Sequence, residues 1–169
     1  RGLKIHYPQS RIYFVTGRDY IQLLQGNPHV DAVIPVPEKE YRYAIKGEPE
    51  KHGRIFNELY GLIAELRGIG FDLIINRQYE WGAVLAGLVG AGRVLGGAWS
   101  GERGFYFADG PSEELFETIR RDRRANRANL ADWACRIALP AGKRYLAPCF
   151  PVSPSAMYKA KQLLRGLNS

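Results

Sequence analysis

The 169-residue chain, 19.0 kDa, has the length of one domain able to bury a single good core. Its 46% hydrophobic and 24% charged residues are ordinary for a soluble globular protein, and it holds no run of about eighteen apolar residues that could span a membrane as a helix. A net charge of +7, with a pI near 9.5, favours acidic partners without choosing among nucleic acid, an anionic membrane surface and a phosphorylated sugar.

Cys135 and Cys149 have no metal-ligand spacing between them, and His6, His29 and His52 lie far apart. No metal is implied, and a reducing cytoplasm is the default compartment. The opening Arg1-Gly2-Leu3-Lys4 lacks the pattern of a secretory signal. Leu3, Ile5 and Tyr7, leading to Pro8, read as the end of a helix already under way, so an upstream strand and most of its helix are expected to be missing.

A strand is expected over residues 12–15, closed by Thr16-Gly17, and Arg18-Asp19 follow at its carboxyl end as a turn or a contributor to a crevice. Tyr20, Ile21, Leu23 and Leu24 give a short helix ended by Gly26-Asn27-Pro28. Residues 30–36 read as a second strand, which Pro35 and Pro37 place near an edge or stop early. The polar segment 37–53 reads as a long mobile loop, its Tyr41-Arg42-Tyr43 suited either to solvent or to sugar stacking and phosphate pairing. Over residues 54–67, Ile55, Leu59, Leu62, Ile63 and Leu66 recur at helical steps, predicting an amphipathic helix packed on a sheet and ended by Gly68 and Gly70.

The stretch 71–97 organises the rest. Leu73, Ile74 and Ile75 form the apolar run of a strand buried on both faces. Asn76, Arg77 and Gln78 interrupt it, and Trp81, Val84, Leu85, Leu88 and Val89 follow at helical spacing. Val94-Leu95 then start a strand expected to stop at Gly96-Gly97. Alternation of strand and helix is the signature of a doubly wound, mostly parallel α/β sheet. In such sheets ligands bind beyond the carboxyl ends of the strands, which makes residues 76–80 and 96–99 the first places to seek chemistry. The plainer alternative is that Asn76 and Gln78 cap the next helix and Arg77 is solvated.

Phe105-Tyr106-Phe107 reads as a short strand, and Trp99 and Arg103, in the loop before it, are weaker candidates for contact. The glycines of this region have neither dinucleotide nor P-loop spacing, so no nucleotide site is read from them. Arg120, Arg121, Arg123, Arg124 and Arg127 form a basic cluster whose planar guanidinium groups suit phosphates or carboxylates, or a solvated helix surface. Asn126, Arg127 and Asn129 precede a helix over residues 130–139 that buries Trp133, Ile137 and Leu139; its N-terminal end favours anions, and either Asn also suits a plain N-cap. Residues 148–154 have the composition of a linker, and a last helix is expected over 155–167 with Ser153 or Ser155 as its cap.

Three segments, FDLIINRQ continuing to GAGRVLGG, RIYFVTGRDYIQLLQGNPHVDAVIPV and NRANLADWACRIALP, together resemble the ADP-heptose:lipopolysaccharide heptosyltransferases of glycosyltransferase family 9, over roughly residues 3–148. Two positions depart from the family pattern: Asn76 stands where Asp is common, and Arg77 where an apolar residue is common. The resemblance implies one Rossmann-like half of a GT-B glycosyltransferase, with residues 1–148 as the N-terminal acceptor-side domain and 149–169 as linker and start of a C-terminal domain. It implies inverting transfer of heptose, or a related sugar, from a nucleotide-sugar donor to a phosphorylated lipopolysaccharide core at the cytoplasmic membrane surface. The protein would be a monomer, peripheral at the inner membrane.

The family's Gly-Asp turn, whose Asp would be the general base, has no counterpart in this sequence, so the chain alone is expected to be inactive and no catalytic residue is assigned. The donor, ADP-heptose, would be bound by the C-terminal domain, with no other cofactor. Acceptor binding falls to Gln78 and Arg127, then Arg77 and Asn129. A reading from another class is a nucleic-acid-binding α/β module built on the cluster 120–127, which carries no named motif.

Overall fold

The structure is a computed structural model that describes residues 1–47, 49–78, 80–121 and 154–166. The chain divides into two compact units, one of residues 3–43 and 147–169, the other of residues 44–146.

The first unit begins with a short helix, α1 (Gly2–His6), followed by strand β1 (Tyr13–Gly17), helix α2 (Ile21–Leu24) and strand β2 (Ala32–Val36). β1 and β2 pair in parallel, from Tyr13 opposite Ala32 to Gly17 opposite Val36. A salt link sets where the pair starts. Asp31 accepts the Ile12 N–H at 2.7 Å and pairs with Lys4 Nζ at 2.8 Å, while Lys4 also donates to the Ser10 carbonyl at 2.6 Å. The Ile12 N–H, and after it Lys4, hold the Asp31 carboxyl below the usual carboxylate range. That contribution is present above the unfolded pKa and is lost as pH falls through the folded one. Helix α7 (Pro154–Gly166) forms where a last helix was expected over 155–167 and groups with this unit.

The segment 37–53, expected as a loop, is instead helical: α3 (Glu38–Gly47), a single turn at Pro49–Lys51, and the start of α4 (His52–Ile69). Its charges, read as solvated, make bonds between elements. Glu40 accepts from Arg18 at 3.3 Å on both carboxylate oxygens, and Lys39 pairs with Asp19. Glu38 and Glu40 sit in the first helical turn, where negative charge is favoured, and Tyr41 is 6% exposed.

In the second unit α4 buries Ile55 and Leu66, half-buries Leu59, Leu62 and Ile63 as predicted, and lies against the next helix. It continues through Gly68 and ends at Gly70, whose φ of 70° lets its N–H reach back to the Arg67 carbonyl. Strand β3 (Leu73–Asn76), helix α5 (Glu80–Val89), strand β4 (Arg93–Ser100), strand β5 (Gly104–Phe107) and helix α6 (Gly110–Arg121) follow. The sheet order is β3-β4-β5. The fold is thus mixed α/β with parallel strand pairs, compatible with a Rossmann-like half-domain, and carries one antiparallel pair among the described residues.

Two expectations for this unit change. β4 does not stop at Gly96-Gly97 but runs on to Ser100 by changing partner. Residues 93–96 pair in parallel with β3, and residues 97–100 pair antiparallel with β5. The pivot is Gly96, at φ 86°, and a Cβ there would collide with the Asn76 carbonyl oxygen. The buried face of α5 also differs, with Leu88 37% exposed while Ala83 and Ala86 join Leu85 and Val89 in the core. Small residues let the helix lie close. A Cβ on Gly87 would sit 2.5 Å from the Trp99 carbonyl oxygen, and one on Gly82 2.6 Å from Asn76 Oδ1.

Gly96→Ala and Gly70→Ala separate the two reasons for glycine. Gly70 has positive φ but open space around its Cβ position, so its substitution should cost about 1 kcal/mol. Gly96 adds a backbone collision and should cost roughly 3 kcal/mol or more, read from urea midpoints at unchanged slope. Equal losses would show that β4 relaxes around the added methyl group.

Candidate functional site

The carboxyl ends of β3 and β4 meet at Asn76. As the last residue of β3 it lies opposite Gly96, and its side chain reaches past that pair to the next residues of both chains. Nδ2 donates to the Gln78 carbonyl at 2.7 Å and to the Gly97 carbonyl at 2.6 Å, while Oδ1 accepts the Gln78 N–H at 2.9 Å. Both donors of the amide are used, and Gln78 is gripped by both of its backbone groups. The turn that leaves β3 is therefore fixed to β4 before α5 begins.

A second polar group secures the other side of the pivot. Asp109 accepts the Gly96 N–H, and its carboxylate also takes the Ser112 N–H at 2.8 Å and the Ser112 hydroxyl at 2.9 Å. It is thus the N-cap of α6 and a tie from that helix to β4. The Gly96 carbonyl accepts the Ala108 N–H at 2.9 Å, which brings the chain leaving β5 back to the same point. Sequence reading missed α6 and Asp109 together, although Asp109-Gly110-Pro111-Ser112 carries a helix-start signal in its own composition.

The predicted acceptor residues fall into two groups. Arg77 and Gln78 lie at the carboxyl end of β3, both are exposed, and neither side chain makes a hydrogen bond or ion pair with a described residue. The plainer alternative had Asn76 capping the next helix; its hydrogen bonds go instead to Gln78 and to Gly97 of β4. Arg127 and Asn129, like Asn126, Trp133, Cys135, Cys149 and the basic residues 123–124, lie outside the described residues. Of the weaker candidates, Arg103 stacks over Tyr106 at 5.6 Å from the ring centre, and Trp99 is 36% exposed on β4. Arg18 and Asp19, in the first unit, are held in the ion pairs to Glu40 and Lys39.

An aromatic row lies beside this turn. Phe105 meets Phe107 edge to face at 5.1 Å, and Phe107 meets Phe116 of α6 at 5.2 Å. A Cβ on Gly97 would lie 2.9 Å from the Gln78 carbonyl oxygen, 3.0 Å from the Phe105 ring and 3.2 Å from Asn76 Nδ2, so all three groups close on the same bare glycine. No group of three or more His, Cys, Asp or Glu suited to a metal occurs among the described residues, and no described helix is long and apolar enough to cross a membrane.

The chain is similar to lipopolysaccharide heptosyltransferase 3 of Escherichia coli, 30% identical over 80 residues. The match takes in 47% of this chain and 21% of that protein, so the chain spans about a fifth of the length of the curated relative it matches. No family model matches the chain, and no solved structure does.

Asn76→Asp tests the tie directly. A carboxylate could still accept the Gln78 N–H, but its other oxygen would face two carbonyls where an NH₂ donor now stands, a loss of about 2–3 kcal/mol at neutral pH. Protonation restores one donor, so the variant's carboxyl pKa is raised in the folded state. Its stability is therefore best below the unfolded pKa and is lost as pH rises through the folded one. Urea unfolding of variant and wild type between about pH 4 and about pH 7 should show a gap that widens with pH; a constant gap would mean the two carbonyls do not depend on this amide.

Proposed function

We propose that this chain is the acceptor-side part of a glycosyltransferase that moves heptose, or a related sugar, from a nucleotide-sugar donor to the inner core of lipopolysaccharide. The observation that carries the reading is the 30% identity over 80 residues with lipopolysaccharide heptosyltransferase 3 of Escherichia coli. The α/β architecture supports it, because polar side chains that are exposed and without partners among the described residues stand at the carboxyl end of a parallel strand, where such sheets bind ligands.

In the proposed reaction an acceptor hydroxyl attacks the anomeric carbon of the donor sugar, the bond to the nucleotide diphosphate breaks, and the configuration inverts. Such a transfer needs a base within hydrogen-bond reach of the hydroxyl and positive charge or donors on the departing diphosphate. This chain is assigned neither task. Its share is orientation: Gln78 offers an amide that both donates and accepts to sugar hydroxyls, and Arg77 offers a guanidinium to a phosphate or carboxylate of the core. Arg127 and Asn129 are proposed as further acceptor contacts, and ADP-heptose as the donor, bound by a second α/β domain. The charge of +7 would hold the protein at the anionic cytoplasmic face of the inner membrane.

Calorimetric titration of the chain with a phosphorylated, Kdo-containing core oligosaccharide tests this, with ADP-heptose and a random DNA duplex as comparators, at two salt concentrations. The expected result is weak binding to the oligosaccharide and none to the sugar nucleotide. Arg77→Ala or Gln78→Ala should weaken it by roughly tenfold, and Arg127→Ala should abolish it. Tight binding to DNA that falls steeply with salt, with none to the oligosaccharide, would replace the reading with a nucleic-acid module on residues 120–127. Silence towards all three ligands would overturn the acceptor role.

A further inference from the structure

We infer that the exposed face of α4 docks against the same face of a second copy of this chain, the two helices running antiparallel about a twofold axis at Tyr60; the inference is independent of the acceptor reading above. α4 turns its apolar side inward, burying Ile55 and Leu66. Two large rings stand outside that side. Phe56 is 70% and Tyr60 74% exposed, and neither makes a ring contact, hydrogen bond or ion pair with a described residue. At roughly 100° per residue they lie one turn apart on the same exposed arc, with Arg67 at its far end.

Projecting rings need a recess, and α4 carries one beside them. Gly53, Gly61 and Ala64 lie on the adjoining exposed strip of the helix, and a Cβ on Gly53 or Gly61 would meet nothing within 4 Å. Glycine inside a helix is unfavourable, and no crowding within the chain requires it at these two positions. A second helix approaching closely would.

The face is complementary to itself in charge as well as shape. In an antiparallel pair centred on Tyr60, Phe56 lies opposite the partner's Ala64, and Arg54 comes within a residue of the partner's Glu65. A twofold interface repeats every contact, so the pair gains two such bridges, one at each end. Arg54 is available for this, because its ion pair with Glu58 is exposed and 3.8 Å long. Phe56 also approaches the partner's Arg67, whose Nε donates to the Leu88 carbonyl at 2.7 Å beside a Leu88 side chain that is 37% exposed.

The same charges argue against a membrane as the occupant. Glu58 and Glu65 are exposed on this side of α4 and would be repelled by anionic headgroups. Area sets the strength of the pair. An aromatic side chain buries roughly 150–250 Å², so the four rings fall short of the about 1,200 Å² of a stable complex, and a Kd on the order of 10–100 μM is expected. The protein would then be a weak dimer in place of the monomer that the resemblance implies.

Sedimentation equilibrium of the full chain at concentrations spanning that range tests the pairing. The wild type should show a reversible monomer–dimer equilibrium. Tyr60→Glu sets two carboxylates together on the twofold axis and should raise Kd by about tenfold or more. Tyr20, 54% exposed and outside α4, supplies the control, and Tyr20→Gln should leave Kd unchanged. Arg54→Glu and Glu65→Arg should each weaken the dimer roughly fivefold, and the two together should restore it to within about twofold of wild type. Thermal midpoints followed by circular dichroism accompany each variant, so that loss of fold is not read as loss of pairing. A wild-type chain that stays monomeric throughout overturns the proposal, as does a dimer that Tyr60→Glu leaves intact. If both single charge variants dissociate and the double variant does not recover, the register is wrong and the proposal falls with it. Monomer captured on phosphatidylglycerol vesicles, and released by Tyr60→Glu, would give the face to a membrane instead. No oligosaccharide enters these measurements, so the acceptor reading stands or falls separately.

Discussion

One side-chain amide, that of Asn76, sets the geometry on which the second unit depends. Where β3 ends its hydrogen-bond ladder ends too, and the next carbonyls of both strands would face away from any partner. Asn76 supplies the missing donors, one to Gln78 and one to Gly97, and takes the Gln78 N–H in return. The contacts act as an extra rung across the mouth of the parallel pair. They define where Gln78 stands, how close α5 comes, and which way β4 leaves.

The departure of β4 follows from that rung. Gly96 sits against the Asn76 backbone so closely that only glycine fits, and its φ of 86° turns the strand away from β3. The strand then needs a new partner, which β5 provides in antiparallel sense through a short turn at Ser100–Gly104. Asp109 completes the junction, because one carboxylate receives the Gly96 N–H and starts α6. Three elements are thereby tied to a single residue of backbone. Substituting any member of this set is a change in the path of β4, felt at the turn that holds Arg77 and Gln78.

How much of this could be read from the sequence depends on whether each feature is set locally. β3, α5 and the α4 stripe were legible because apolar spacing reports directly on strands and amphipathic helices, and Gly70 because a left-handed end favours glycine. α3 was not, since a segment of alternating charge looks solvated until its partners are known. Lys39 and Glu40 find theirs some twenty residues back, at Asp19 and Arg18. The extension of β4 was illegible for the same reason: Gly96-Gly97 reads as a stop, and only the arrival of β5 turns it into a pivot. α6 is a different case, for its start signal was local and was passed over. The apolar run of β3 placed Arg77 and Gln78 just beyond the strand's carboxyl end, where the structure has them, but which polar residue would be consumed by structure and which left over is a tertiary question.

That division between consumed and spare polar groups is the main functional content of the site. Asn76, Asp109 and Ser112 are half-buried or buried, and their hydrogen bonds are made inside the fold, so they have little left to offer a ligand. Arg77 and Gln78, one and two residues further on, are exposed and unengaged with described residues. The backbone of Gln78 is fixed while both side chains are unengaged among the described residues, and such a side chain loses up to about 2 kcal/mol of rotamer entropy when a ligand orders it. Contacts through such groups alone give orientation more than affinity. On the proposed acceptor reading, such groups would gain from further contacts elsewhere on the acceptor. Weak binding at each contact would then suit the proposed transfer, in which the acceptor must leave once its hydroxyl has reacted.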